Sequence, residues 1–186
     1  MTTPAVLVID VQQALCEGPG AAHDGAGTIA RINAVTARAR QAGVAVIFIQ
    51  HEGRDGYLEH GTPGWQLAAG LSALPGDLRL RKTTPDSFHH TGLQELLQAR
   101  GIDTLVICGM HTEFCVDTTT RRAMALGYPV TLVADGHTSA GNPHLSAPQV
   151  IAHHNATLSN ISSFGTRTRV VPAEAIDFSP PESPDP

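Results

Sequence analysis

The sequence predicts a three-layer α/β/α sandwich around a mainly parallel sheet. Short β-branched runs alternate along the chain with helical-period stretches, and the helical stretches end in glycine. The length, 186 residues, fits one domain with a substantial core.

The first run, AVLVI closing at Asp10, reads as a buried strand spanning Ala5 to Asp10. A helix from Thr28 to Gln41 follows, with Gly43 placed for a left-handed C-cap. Val44 to Gln50 is the second strand and Leu78 to Leu80 a shorter third. Leu93 to Arg100 forms the next helix, capped by Gly101, and Thr104 to Cys108 the next strand. Beyond Cys115, the stretch VDTTTRRAMALG puts Val116, Thr119, Ala123 and Leu126 on one helical face. Val130 to Ala134 is a further strand, and a helix runs from about Ser146 to Leu158. A right-handed crossover is the common way to join parallel neighbours, so these βα units stack helices on both faces of the sheet.

Two stretches are too long for plain connectors, Cys16 to Gly25 and His51 to Pro75, and loops of this length usually shape a site. Residues 1–177 read as a single domain. The remainder, 178–186, is proline-rich and acidic and is expected to be a disordered tail.

Composition narrows the function. A formal charge of -5 without a Lys/Arg run argues against a nucleic-acid partner. No apolar run is long enough for a membrane span. The start, MTTPAVLVID, lacks the basic and apolar segments of a secretory signal, so a cytoplasmic location is expected. A small-molecule substrate is the remaining expectation. Three cysteines, Cys16, Cys108 and Cys115, cannot all pair, so at least one is a free thiol.

In open α/β sheets ligands bind beyond the carboxyl ends of the strands. Asp10 closes the first strand, where its carboxylate would project into that crevice; the competing reading is a loop or helix cap. Lys82, in LRLRKTTPDSF, reads on its own as a solvated surface lysine. Cys115 lies six residues beyond Gly109, in the first turn of a helix, where dipole and unpaired N–H groups favour a thiolate and lower its pKa. Read alone it could equally be a small buried hydrophobe, the reading that suits mid-strand Cys108 better. Thr112 is expected to cap the helix through its hydroxyl. The glycines of GAGTIA, at Gly25 and Gly27, resemble a dinucleotide fingerprint, but about fourteen residues separate them from the strand and a helix start explains them.

Asp10 after an apolar first strand, Lys82 before a turn, and GMHTEFCVDTTTRRAMALGY together resemble the isochorismatase-like cysteine hydrolases. The strongest element is Gly-x-x-Thr-x-x-Cys-Val at Gly109, Thr112, Cys115 and Val116, and the likeness runs from about Ala5 to Val171. Members of this family include nicotinamidases, carbamoyl-amine hydrolases, other amidohydrolases and isochorismatases. The resemblance implies a six-stranded, Rossmann-like parallel sheet and a homodimer or larger homo-oligomer.

It also implies roles. Cys115 would attack a carbonyl carbon, Asp10 would take the thiol proton and later deliver one to the leaving amine, and Lys82 would steady the charge between them. Backbone N–H groups of His111 and Cys115 would hold the oxyanion, next to a non-proline cis peptide bond at Met110–His111. His51, Trp65 and Phe88 would shape the substrate pocket, Trp65 from the long loop after the second strand. The chemistry implied is cleavage of an amide, carbamoyl or lactam C–N bond through a thioester.

The chain departs from the family in two places. Metal-dependent nicotinamidases carry Asp-x-His at the end of the second strand, where this chain has Gln50, His51 and Glu52, so neither metal nor other cofactor is expected. Where the family reads Ser-Ala-Phe after the lysine, Asp86 and Ser87 precede Phe88, so the phenylalanine is kept and only the pocket edge changes. His153, His154 and Asn155 are expected in interior hydrogen bonds or a subunit interface. The competing functions are isochorismatase-type vinyl-ether hydrolysis and a catalytically silent binding protein; the complete Asp, Lys and Cys set favours amide chemistry over both.

Overall fold

Apolar residues at both odd and even positions of a strand bury both of its faces, and β1 (Pro4–Ile9) and β2 (Ala45–His51) are of this kind. A computed structural model describes residues 2–18, 20–54 and 56–179. Its elements continue with β3 (Leu78–Lys82), β4 (Thr104–Met110), β5 (Val130–Thr138) and β6 (Thr168–Val171). The helices are α1 (Gln13–Cys16), α2 (Gly25–Gln41), α3 (Leu93–Ala99), α4 (Asp117–Ala125) and α5 (Ala147–Asn160).

All six strands pair in parallel, in the order β3-β2-β1-β4-β5-β6. Side chains alternate across each strand. Val6, Val8, Val46 and Phe48 pack on Ile29, Ile32 and Val35 of α2. Leu7, Ile9, Ile47 and Ile49 share the other core layer with Leu93 and Leu97 of α3, Ala123 and Met124 of α4, and Leu158 of α5. The fold is therefore the expected α/β/α sandwich.

The strand order reverses between β1 and β4. Connections from β1 run outward one way and those from β4 the other, so a crevice opens at the carboxyl ends of these two central strands. The two strands approach closely there. Gly109 has φ 128°, and a Cβ on it would fall 2.0 Å from the Ile9 carbonyl oxygen. Replacing Gly109 with alanine is expected to cost about 3 kcal/mol or more, read by chemical denaturation.

The strand boundaries differ from the sequence reading at two informative places. β3 runs to Lys82 and sets that residue in register with His51 at the end of β2. β5 continues past Ala134 to Thr138 through a register shift, because Gly136 packs where a Cβ would lie 2.6 Å from Val133 Cγ1. The strand read from the sequence stops at Ala134, before this irregularity.

Phe178 packs partly buried against the α2 side of the core. The rest of the proline-rich tail, 180–186, lies outside the described residues. Among the described residues, no helix is long and apolar enough to cross a membrane.

Candidate active site

The chain leaves the sheet at Asp10 through a left-handed conformation, φ 52°, after its N–H donates to the Ile49 carbonyl at 2.8 Å. The next rung toward β2 is made by a side chain. Gln12 Oε1 accepts from the His51 N–H at 2.8 Å, and Gln12 Nε2 donates to the His51 carbonyl at 3.0 Å and the Trp65 carbonyl at 2.9 Å. An amide imitating backbone thus fixes β2 and the long loop while Asp10 is released into the crevice. Gln50 Nε2 adds a second bond to the Trp65 carbonyl at 3.0 Å.

At the centre lies the ammonium of Lys82, whose side chain is fully buried. Lys82 Nζ donates to Asp10 Oδ2 at 2.6 Å, to the Thr84 carbonyl at 3.1 Å and to Cys115 Sγ at 3.2 Å, and lies 3.2 Å from His51 Nδ1. An ammonium only donates, so Nδ1 accepts and the His51 proton sits on Nε2. Burial, then the Lys82 charge, hold His51 below the usual imidazole range, in keeping with a neutral ring. Asp10 Oδ1 is buried with no hydrogen-bond partner among the described residues.

Cys115 belongs to a five-residue π-helical turn, Thr112–Val116, that leads into α4. The Met110–His111 peptide bond before it is cis. The acidity of Cys115 runs opposite to the lowered pKa expected from the helix end. Burial first, and the Asp10 carboxylate second, push the Cys115 thiol up to about 12, and the opposing Lys82 does not reverse this. At neutral pH this sulfur is therefore held as a thiol by its burial.

Thr112 is also corrected: it makes no cap. Its hydroxyl lies 2.8 Å from His137 Nδ1, and His137 Nε2 lies 2.9 Å from Asn155 Oδ1. Asn155 Nδ2 donates to the Ala134 carbonyl, so its Oδ1 must accept from His137 Nε2–H, and Nδ1 accepts from Thr112. This chain ties the π turn to β5 and α5.

Burial lowers the His137 pKa to about 4. Its folded pKa lies below the unfolded value of about 6.5, so its contribution to stability is complete above pH 6.5 and is lost as pH falls toward 4. Denaturation midpoints should report a loss of about 3 kcal/mol across that window, reduced in His137→Gln.

The structure therefore brings Asp10, His51, Lys82 and Cys115 together. Trp65 is half-buried, edge-on to His60 at 4.6 Å, and is tied to the His51 segment through its carbonyl. Phe88 is not brought to the cluster. It is buried in the core, stacked on Tyr128 with ring centres 6.1 Å apart. Gln12, Gln50, Thr84 and His137 were missed by sequence reasoning. Only the Asp-Val-Gln spacing at the end of β1 hinted at Gln12.

Residues 4–163 match the family model described as "Isochorismatase domain". A streptothricin hydrolase of Streptomyces noursei is 37% identical, over 98% of this chain and 67% of that protein. A ureidoacrylate amidohydrolase, RutB of Caulobacter vibrioides, is 32% identical, over 87% of this chain and 85% of that protein. The crystal structure of an isochorismatase family protein superposes with a TM-score of 0.85 at 33% identity, covering 92% of this chain and 99% of that one. An isochorismatase from Pseudomonas putida KT2440 superposes with a TM-score of 0.85 at 27% identity, over 94% of this chain and 90% of that one.

Proposed function

Because this chain belongs to the isochorismatase family and is an amidohydrolase-type enzyme, we propose that it hydrolyses a C–N bond of a small molecule through a thioester on Cys115. The observation that carries this reading is the Lys82 ammonium bonded at once to Asp10 Oδ2 and Cys115 Sγ in a buried crevice. An amide, a carbamoyl group or a lactam supplies the carbonyl.

In this mechanism Cys115 Sγ attacks the carbonyl carbon while Asp10 takes the thiol proton on its unpartnered Oδ1. A thiol pushed up to about 12 makes that transfer necessary. The oxyanion is held by the backbone N–H groups of His111 and Cys115 at the entry to the π turn. Asp10 returns the proton to the leaving nitrogen, the amine departs, and water hydrolyses the thioester with Asp10 again as base. Lys82 keeps the carboxylate and thiolate tolerable side by side.

A ureido or carbamoyl substrate is favoured by the likeness to a ureidoacrylate amidohydrolase at 32% identity. Trp65 and His51 supply the pocket wall in this proposal. The reading includes a homodimer or larger homo-oligomer in the cytoplasm with no cofactor, and the exposure of Phe114 beside Cys115 suits a covered face.

The test is ammonia or amine release from a panel of ureido, carbamoyl, primary-amide and lactam compounds, run beside Asp10→Asn. Release by the wild type and its loss in the variant are expected. Release from none of them, with turnover of a vinyl ether instead, would replace amide hydrolysis with isochorismatase chemistry.

A further inference from the structure

Glu113 lies in the π turn just before Cys115, and its Oε1 accepts from the Ser139 hydroxyl at 2.7 Å. Ser139 follows the end of β5, whose last residue, Thr138, is in register with Met110 at the end of β4. The carboxylate therefore stands at the carboxyl edge of the sheet, on the β5 side of the nucleophile, as Lys82 stands on the β3 side. Its second oxygen, Oε2, is buried and has no hydrogen-bond partner among the described residues. Asp10 Oδ1, Trp65 Nε1 and His111 Nε2 are in the same condition, so four of the five unmatched buried side-chain atoms among the described residues belong to the crevice and the loop beside it. Leaving such atoms unmatched is costly, and their concentration at one place marks where a ligand would match them.

Glu113 is also a charge without a counter-ion. Asp10, Asp77 and Asp117 are held by Lys82, Arg40 and Arg121, whereas Glu113 forms no ion pair among the described residues and is met only by a neutral hydroxyl. His111 feels the Glu113 and Asp10 charges, but burial outweighs both and holds its imidazole below the usual range, so at neutral pH it supplies no cation. Lys82 and Asp10 offset one another, which leaves the crevice one negative charge in excess.

We propose that Glu113 sets the specificity of the site by binding a cationic nitrogen, an ammonium or amidinium, that the substrate carries near its scissile C–N bond. The inference rests on the hydrolase reading of the same crevice and adds the charge of the substrate to it. Glu113 Oε2 accepts an N–H bond from the cation, a charge-assisted bond about twice as strong as a neutral one, while Ser139 keeps Oε1 in place. The scissile group is still an amide, carbamoyl or lactam carbonyl at Cys115; Glu113 decides what that group is attached to. An anionic substrate meets the excess negative charge and is rejected.

The experiment compares ω-amino amides, from glycinamide to δ-aminovaleramide, with the alkyl amides in which methyl replaces ammonium. The wild type should prefer the amine at the best chain length by at least about tenfold in kcat/KM. Glu113→Gln keeps an acceptor for Ser139 but loses the charge. It should lower kcat/KM for the amino amides at least about tenfold more than for the alkyl amides, through KM rather than kcat. Glu113→Asp, which withdraws the charge by one methylene, should move the optimum to the next longer amine, a shift that a merely structural role would not produce.

Equal turnover of the two series by the wild type, equal losses for both in Glu113→Gln, or an optimum unmoved in Glu113→Asp would overturn the inference and leave the hydrolase reading standing. Hydrolysis of neither series sinks the hydrolase reading, and calorimetric binding of the same pairs then decides the inference. Tighter binding of the amine, lost in Glu113→Gln, would support it, and equal binding of amine and alkyl amide would overturn it.

Discussion

Cys115→Ala is expected to lower amide hydrolysis by at least about 10⁴-fold while leaving the circular dichroism spectrum unchanged. In the proposed mechanism the Cys115 thiol is the acyl acceptor of the Asp10–Lys82–Cys115 cluster, and Cys108 is buried in mid-strand with its thiol pushed up to about 12. Cys115→Ser should be nearly as poor, because a hydroxyl is harder to deprotonate and the same single base serves it. Steady-state product release on the best substrate of the panel measures both. Retained activity in the alanine variant would leave only binding and the oxyanion donors to explain catalysis.

Lys82→Met should be the most destabilising of the catalytic-site variants. It removes the cation from a fully buried pair whose atoms are 2.6 Å apart and leaves the Asp10 charge without compensation. Breaking such a pair from one side costs about 3–5 kcal/mol, whereas replacing both partners by neutral groups can be almost free. Adding Asp10→Asn to Lys82→Met should therefore recover part of the lost stability, seen as a higher denaturation midpoint in the double variant than in the single one. Hydrolysis should stay absent in both, since the single variant lacks the cation and the double variant lacks the base as well. A double variant less stable than Lys82→Met would show that the ion pair is not what holds these residues together.

Much of this arrangement was legible in the sequence because it follows from strand ends. The run AVLVI had to be a buried strand, and the residue closing it had to sit at the carboxyl edge of the sheet. The six-residue step from Gly109 to Cys115 likewise put the cysteine at a strand-to-helix passage. Gly109 itself is dictated by the Ile9 carbonyl 2.0 Å from any Cβ, a distance no local pattern reveals.

What was not legible depends on partners remote in sequence. Gln12 bonds backbone 39 and 53 residues away, and Thr112 reaches His137 across 25. An N-cap was a sound local expectation for Thr112, but the passage is a π turn whose end is tied by tertiary contacts. The Cys115 thiol was misjudged for a related reason. The helix end is a local feature, whereas the burial that raises its pKa comes from the whole crevice. Phe88 was placed at the pocket by the family resemblance, and the stacking on Tyr128 that draws it into the core crosses elements.

The most direct test of the account is a rapid-quench experiment on the wild-type enzyme, using the substrate found in the release assay and acid to trap intermediates, followed by mass analysis of the Cys115 peptide. The account predicts an adduct equal to the substrate's acyl part on Cys115, which rises before product and decays at the turnover rate. Full turnover with that peptide unmodified at every time point would contradict it and assign the chemistry to direct attack by water.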